Sequence, residues 1–141
     1  MVIQETLRLY PPAVFIGREA LEELKLKDIV IPKGVNIQIP ISILHQIPSL
    51  WGPHDAHKFN PGRFQNGVFG ASEISHVYIP FGVGSRICVG QHLAMIELKV
   101  ILSILLSKFR FSLSPAYPHS PAFRLVIEPK HGVCLHVTTL T

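Results

Sequence analysis

The sequence predicts a mainly α chain with a small mixed β region, and three observations carry that prediction. Gln91 to Lys108 is one long apolar run of helical length. Val14 to Ile16, Ile29 to Ile31 and Val35 to Ile43 are short stretches rich in β-branched residues, punctuated by Asp28 and Pro32-Lys33-Gly34. Gly52 to Pro80 fits neither pattern. It is broken by Pro53, Asn60-Pro61-Gly62, Asn66-Gly67 and Gly70, and an irregular stretch of that length needs either function or disorder to explain it.

The elements follow in order. Residues 1–10 read as an amphipathic helix, with Val2, Ile3 and Leu7 against Gln4, Glu5 and Arg8. Pro11-Pro12 ends it, because proline lacks the donor and constrains the residue before it. The three β-branched stretches form strands, and Ile47 to Leu50 forms one helical turn. Gln91 to Lys108 carries apolar residues around most of its circumference, which implies burial on several sides. Glu97 and Lys99 near its middle argue against a membrane span. Phe123 to Ile127 and Val133 to Val137, separated by Pro129-Lys130-His131-Gly132, read as a closing hairpin with Gly132 at the turn.

Composition bounds the function. The chain has 141 residues, about the size of one ordinary domain, and with 48% apolar and 16% charged residues it is not a disordered one. The net charge is +4, yet the densest basic groups are only Lys25 with Lys27 and Lys108 with Arg110. With no basic stripe interleaved with aromatics, a nucleic-acid partner is not expected. Two cysteines, Cys88 and Cys134, make no disulfide framework. Met1 to Glu5 shows no signal peptide; the chain starts inside an apparent helix, which suggests a piece of something longer.

The chemistry centres on Phe81-Gly82-Val83-Gly84-Ser85-Arg86-Ile87-Cys88-Val89-Gly90, which runs straight into the long helix. Three glycines let the backbone turn tightly and approach a flat ligand closely. Cys88 stands at the mouth of a helix N-terminus, where the dipole favours negative charge. Arg86 supplies a fixed positive charge suited to a ligand carboxylate, and Phe81 can shield the sulfur from water. A lone cysteine would ordinarily be a small core residue, but glycines, arginine and helix together favour a metal-binding thiolate. A dinucleotide loop fails, because Ile87 occupies the third glycine position of G-x-G-x-x-G. A zinc site lacks C-x-x-C and H-E-x-x-H, so the eight histidines read as surface or loop residues.

Phe81 to Gly90 matches F-x-x-G-x-R-x-C-x-G, Glu5-Thr6-Leu7-Arg8 matches E-x-x-R, and Phe59-Asn60-Pro61-Gly62-Arg63-Phe64 matches F-x-P-x-R-F. In this order and spacing they resemble the C-terminal part of a cytochrome P-450, a haem-thiolate monooxygenase, over essentially all of residues 1–141. The phrases Met1 to Pro12 and Gly34 to Pro40, with Trp51-Gly52, resemble the plant microsomal type, nearest to the branch that oxidises gibberellins and related diterpenoids.

The resemblance implies the K helix, β segments, the meander, the cysteine loop, the L helix and a β hairpin. It implies haem b as cofactor, Cys88 as axial iron ligand, and Phe81, Gly82, Gly84, Arg86, Gly90 and Arg18 around the haem, the two arginines on its propionates. Glu5, Arg8 and Arg63 resemble a buried acid–base triad; positions i and i+3 share a helix face, although spacing alone equally allows an exposed pair. Ala13, Val14, Phe15 and Ile16 fall where the family lines its substrate pocket, and composition alone reads them equally as sheet core. The implied partners are an NADPH–cytochrome reductase and a hydrophobic small molecule. The implied location is the cytosolic face of the endoplasmic reticulum, through an N-terminal anchor.

Three departures stand out: Gly62 where the family has glutamate, non-acidic Ile47 and Ser49, and an apparent insertion at His54. The anchor and the oxygen-activating helix of the family have no counterpart here. Two expectations follow. Either this is part of a longer monooxygenase and inactive alone, or it is a short product of a decayed gene with at most weak haem or partner binding.

Overall fold

A computed structural model describes residues 1–74 and 76–140. The chain divides into two compact units, Met1–Pro80 and Phe81–Thr141.

The first unit opens with α1 (Val2–Leu9), which ends where the Tyr10 N–H meets the Thr6 carbonyl at 2.8 Å, just before Pro11. Its buried face carries Glu5, Leu7, Arg8 and Leu9, while Val2 is exposed. The polar side expected from periodicity therefore faces inward. β1 (Phe15–Glu19) pairs antiparallel with β4 (Asn36–Pro40), Phe15 opposite Pro40 and Glu19 opposite Asn36. β2 (Leu24–Leu26) and β3 (Ile29–Ile31) form a small antiparallel hairpin between them in sequence.

The strand expected to run to Ile43 stops at Pro40, and Ile41–Leu44 forms a helical turn, α2. Proline cannot extend a ladder, and Ile41 is instead fully buried as the chain turns. The next turn, α3 (Pro48–Trp51), sits one residue beyond the expected one, with proline in its favoured first position.

Gly52 to Pro80 has structure of its own kind. It wraps a core of Trp51, Ala56, Phe64, Ala71 and Val77, flanked by Leu44, Leu50, Val68 and Tyr78. A 3₁₀ turn at Pro61–Phe64 is its one regular piece among the described residues. Gly52 makes the tightest demand on the backbone. It closes α3 at φ +104°, and a Cβ there would collide with the Asp55 carboxylate.

The second unit contains a 3₁₀ turn at Gly84–Arg86 and α4 (Gln91–Lys108), whose bounds match the expected helix. None of its 18 residues is buried, contrary to the expected burial on several sides. β5 (Phe109–Leu113) follows without a break and pairs antiparallel with β8 (Leu135–Thr139). β6 (Pro121–Phe123) pairs with β7 (Ile127–Pro129). The expected hairpin of 123–127 with 133–137 is thus corrected. Proline bounds the short hairpin on both sides, and the last strand takes β5 as its partner. Gly132 does sit in a turn, at φ +68°.

Gly52→Ala should lower the unfolding free energy by about 1–3 kcal/mol, read by denaturant unfolding, because alanine meets both a left-handed backbone and the Asp55 side chain. Gly17→Ala, with nothing within 4 Å of the added carbon, should change it by less than about 1 kcal/mol.

Candidate functional site

In the second unit the loop before α4 is held by its own backbone. The Cys88 N–H donates to the Phe81 carbonyl at 2.8 Å, and the Ile87 N–H to the Gly84 carbonyl at 3.1 Å. Gly82 (φ +77°) and Gly84 (φ +76°) occupy the left-handed region that L side chains avoid. A Cβ at Gly84 would meet nothing within 4 Å, so glycine is required there by backbone shape, not by space. Cys88 lies two residues before Gly90, the cap of α4, and its carbonyl accepts from Gln91 at 3.3 Å. Its thiol is free and exposed, as is that of Cys134. Phe81 is half-buried, and Arg86 is exposed with no ion pair among the described residues.

In the first unit a charged cluster is sealed from water. Glu5 and Arg8 are both wholly buried. Arg8 Nε donates to Glu5 Oε2 and Arg8 Nη2 to Glu5 Oε1, each at 2.8 Å, a bidentate pair. The remaining donors reach the carbonyls of His45 (2.7 Å), Ala56 (2.6 Å) and Lys58 (3.2 Å). All five guanidinium N–H groups are therefore used. The Trp51 ring lies 5.2 Å from the guanidinium carbon. Glu5 Oε1 also accepts from the Asn60 N–H at 2.9 Å.

Arg63 joins this cluster at its edge. Its Nε is 3.8 Å from Glu5 Oε1 and makes no hydrogen bond. Its Nη1 donates to the Trp51 carbonyl, and its Nη2 to the Asp55 carbonyl at 3.1 Å, with the Asp55 carboxylate at 3.2 Å. Arg63 thus bonds the loop carrying the apparent His54 insertion more closely than it bonds Glu5. Gly62 is exposed beside it, its added Cβ meeting only Asn60 Oδ1 at 3.1 Å.

Ala13, Val14, Phe15 and Ile16 alternate, with Ala13 and Phe15 exposed and Val14 and Ile16 half-buried. Arg18, also on β1, is half-buried with Nη1 on the Gly17 carbonyl at 2.9 Å. The structure brings Glu5, Arg8 and Arg63 together in one unit, and the residues from Phe81 to Gly90 together in the other.

Sequence reasoning missed His45, Asp55 and Asn60. Of the expectation that the histidines are surface or loop residues, the loop part holds at His45, in the turn after α2, and the surface part does not: it is wholly buried against Trp51 and Tyr78. Its Nε2 accepts from the Ile79 N–H at 2.9 Å, and its Nδ1 has no hydrogen-bond partner. Burial lowers its pKa from 6.5 to about 4; the carbonyls of Arg8 and Leu7 oppose this and the Arg8 charge adds to it. Burial pushes the neighbouring Tyr78 phenol up.

The sequence model of the family described as Cytochrome P450 matches residues 1–135. Cytochrome P450 714C2 of Oryza sativa subsp. japonica is 65% identical over 135 residues, covering 96% of this chain and 26% of the relative. Cytochrome P450 714A2 of Arabidopsis thaliana is 53% identical over 137 residues, covering 97% and 26%. The solved structure described as retinoic acid bound cyanobacterial CYP120A1 matches with a TM-score of 0.88 at 30% identity, over 99% of this chain and 32% of that one. The chain belongs to the cytochrome P450 family, the haem-thiolate monooxygenases. It spans about a quarter of the length of the curated relatives it matches.

Haem with a cysteine thiolate on iron is the cofactor of this family, and the residues present fit it. No group of three or more histidines, cysteines or acids is poised around a metal ion among the described residues. Iron carried in a macrocycle needs only one protein ligand on that side, and the loop offers one uncommitted thiol. The glycine-turned backbone around it leaves a flat group room to approach.

Two predictions follow from the buried cluster. Arg8→Ala should cost about 3–5 kcal/mol in denaturant unfolding, because it strands the Glu5 carboxylate. Arg63→Ala should cost less, since Glu5 keeps its bidentate partner. For His45, the unfolded imidazole binds a proton between pH 6.5 and about 4 and the folded one does not. Stability is therefore full above pH 6.5 and should fall by about 3 kcal/mol on acidification toward pH 4. His45→Gln should remove that component from an unfolding series against pH.

Proposed function

We propose that this segment carries the haem of an oxygen-inserting monooxygenase, with Cys88 as the axial iron ligand. The observation that supports it most is the free, exposed thiol of Cys88, on a loop tied by its own hydrogen bonds at the start of α4. Gly82, Gly84 and Gly90 would keep side chains away from a bound haem, and Phe81, half-buried on the same loop, would shield the sulfur once the haem is in place. Arg86 would pair with a haem propionate, the role that the family resemblance also gives Arg18. Haem, when bound, supplies oxygen activation, and its thiolate ligand favours O–O cleavage.

The protein's own share is orientation and dryness. The Glu5–Arg8 pair, with Arg63, holds the Asn60–Phe64 segment and the carbonyls around it in one geometry. Ala13, Val14, Phe15 and Ile16 border the substrate, with Ala13 and Phe15 as the exposed pair. The overall reaction places one atom of O₂ in a C–H or C=C bond of a hydrophobic substrate. The other atom leaves as water, with two electrons from NADPH through a flavoprotein reductase and two protons. The substrate class that the sequence resemblance supports is a gibberellin-type diterpenoid. The full protein is held at the endoplasmic reticulum, facing the cytosol; among the described residues no helix is long and apolar enough to cross a membrane.

The test is ligation in a full-length chain carrying this segment. The reduced CO complex should show the red-shifted Soret band of thiolate ligation. Cys88→Ser should abolish that band, and Cys134→Ser should leave it unchanged. Loss of the band in Cys134→Ser alone would reject the assignment.

A further inference from the structure

We infer that His45 is a positioning residue for the cysteine loop, its neutral imidazole gripping the main chain from which that loop departs. This inference rests on the reading of Cys88 as the haem-iron ligand.

The grip has two sides. The His45 carbonyl accepts from Arg8 Nη1 at 2.7 Å, which fixes the residue to the buried ion pair. Its ring, wholly buried, accepts the Ile79 N–H on Nε2 at 2.9 Å. The ring stacks on Tyr78 at 5.4 Å, and the Tyr78 hydroxyl donates to the Gln4 carbonyl of α1 at 3.0 Å. Tyr78 and Ile79 are thereby tied to α1 and α2 by side chain and main chain. Pro80 has no N–H, so Ile79 offers the last main-chain donor before Phe81. The Phe81 carbonyl in turn holds the Cys88 N–H at 2.8 Å. A continuous series of peptide and hydrogen bonds therefore leads from the Glu5–Arg8 pair to the residue that bears the sulfur.

The choice of histidine is informative because it is costly. Its polar ring is wholly buried, and its desolvation is a penalty that an apolar ring of similar size would avoid. What that apolar ring cannot do is accept the Ile79 N–H. Acceptance requires the neutral ring with its proton on Nδ1, and burial keeps it neutral at physiological pH. The charged and titratable groups around it are Arg8, with its partner Glu5, on α1 and the Tyr78 phenol. Protonating Nε2 would set two N–H groups against each other and release Ile79.

The test uses the haem-loaded full-length protein and the fraction of its reduced CO complex that shows the thiolate Soret band, at matched haem content. His45→Phe keeps a ring but has no acceptor, and should lower that fraction several-fold at neutral pH. His45→Gln keeps an acceptor that does not titrate. It should hold the fraction, and hold it level on acidification to about pH 4, where the wild-type ring takes up its proton and its fraction declines. Leu7→Ala, a buried-core control on α1, should lower thermal stability and leave the fraction intact. The inference is overturned if His45→Phe keeps the wild-type fraction, or if Leu7→Ala loses as much. Should His45→Phe load no haem, a His45→Gln curve that follows the wild type into acid overturns it alone. Cys88→Ser separates the two readings: with the band lost there, any failure at His45 counts against this inference only.

Discussion

A guanidinium sealed from water must place one charge and five N–H donors, and Arg8 places them all. Two go to one carboxylate and three to main-chain carbonyls far away in sequence, at His45, Ala56 and Lys58. Such a group tolerates little displacement, because each lost acceptor exposes a desolvated donor. A buried ion pair is weak evidence for stability, since desolvation offsets much of the attraction. What it does impose is geometry. In this chain that geometry joins one turn of α1 to the end of α2 and to the long irregular segment.

The same arginines explain how that segment holds together with so little helix or strand. Buried carbonyls need donors, and regular structure normally supplies them. Here Arg8 and Arg63 supply them instead, to His45, Trp51, Asp55, Ala56 and Lys58. Trp51 and Phe64 fill the space beneath, so the loop has an apolar core as well as a polar clasp. Gly52 lets α3 end sharply enough for Asp55 to meet Arg63 at 3.2 Å.

What could be read from the sequence follows from how local each signal is. α4 matched its bounds because eighteen residues without a glycine or proline, bounded by Gly90, need no tertiary information. The cysteine loop was legible because glycines, arginine and cysteine act within ten residues of each other. The inward orientation of Glu5 and Arg8 was legible only from resemblance to the family, since hydrophobic periodicity alone pointed them to solvent. β5 was hidden by its direct continuation from α4, although Phe109-Arg110-Phe111-Ser112-Leu113 alternates with a period of two. β8 was assigned the wrong partner, because pairing over twenty residues leaves no local trace. His45 had no signal at all. Its burial depends on Ile79, Tyr78 and Trp51 arriving from other parts of the chain.

The two units therefore solve opposite problems. In the first, every donor of the central arginine is spent and an aromatic core packs beside it. In the second, the loop spends its backbone hydrogen bonds on itself and keeps its thiol unspent. A side chain carried on so ordered a backbone loses little freedom on binding a partner, which is the physical content of preorganisation. Exposure of the sulfur and order of the backbone are thus not in conflict. The N–H of Cys88 is fixed by Phe81, the carbonyl by Gln91, and only the side chain remains to be satisfied from outside. The apolar circumference of α4 has the same character at larger scale. Each Leu or Ile there that passes fully from water to a packed partner contributes about 1.5–3 kcal/mol, and none of them is buried in this structure.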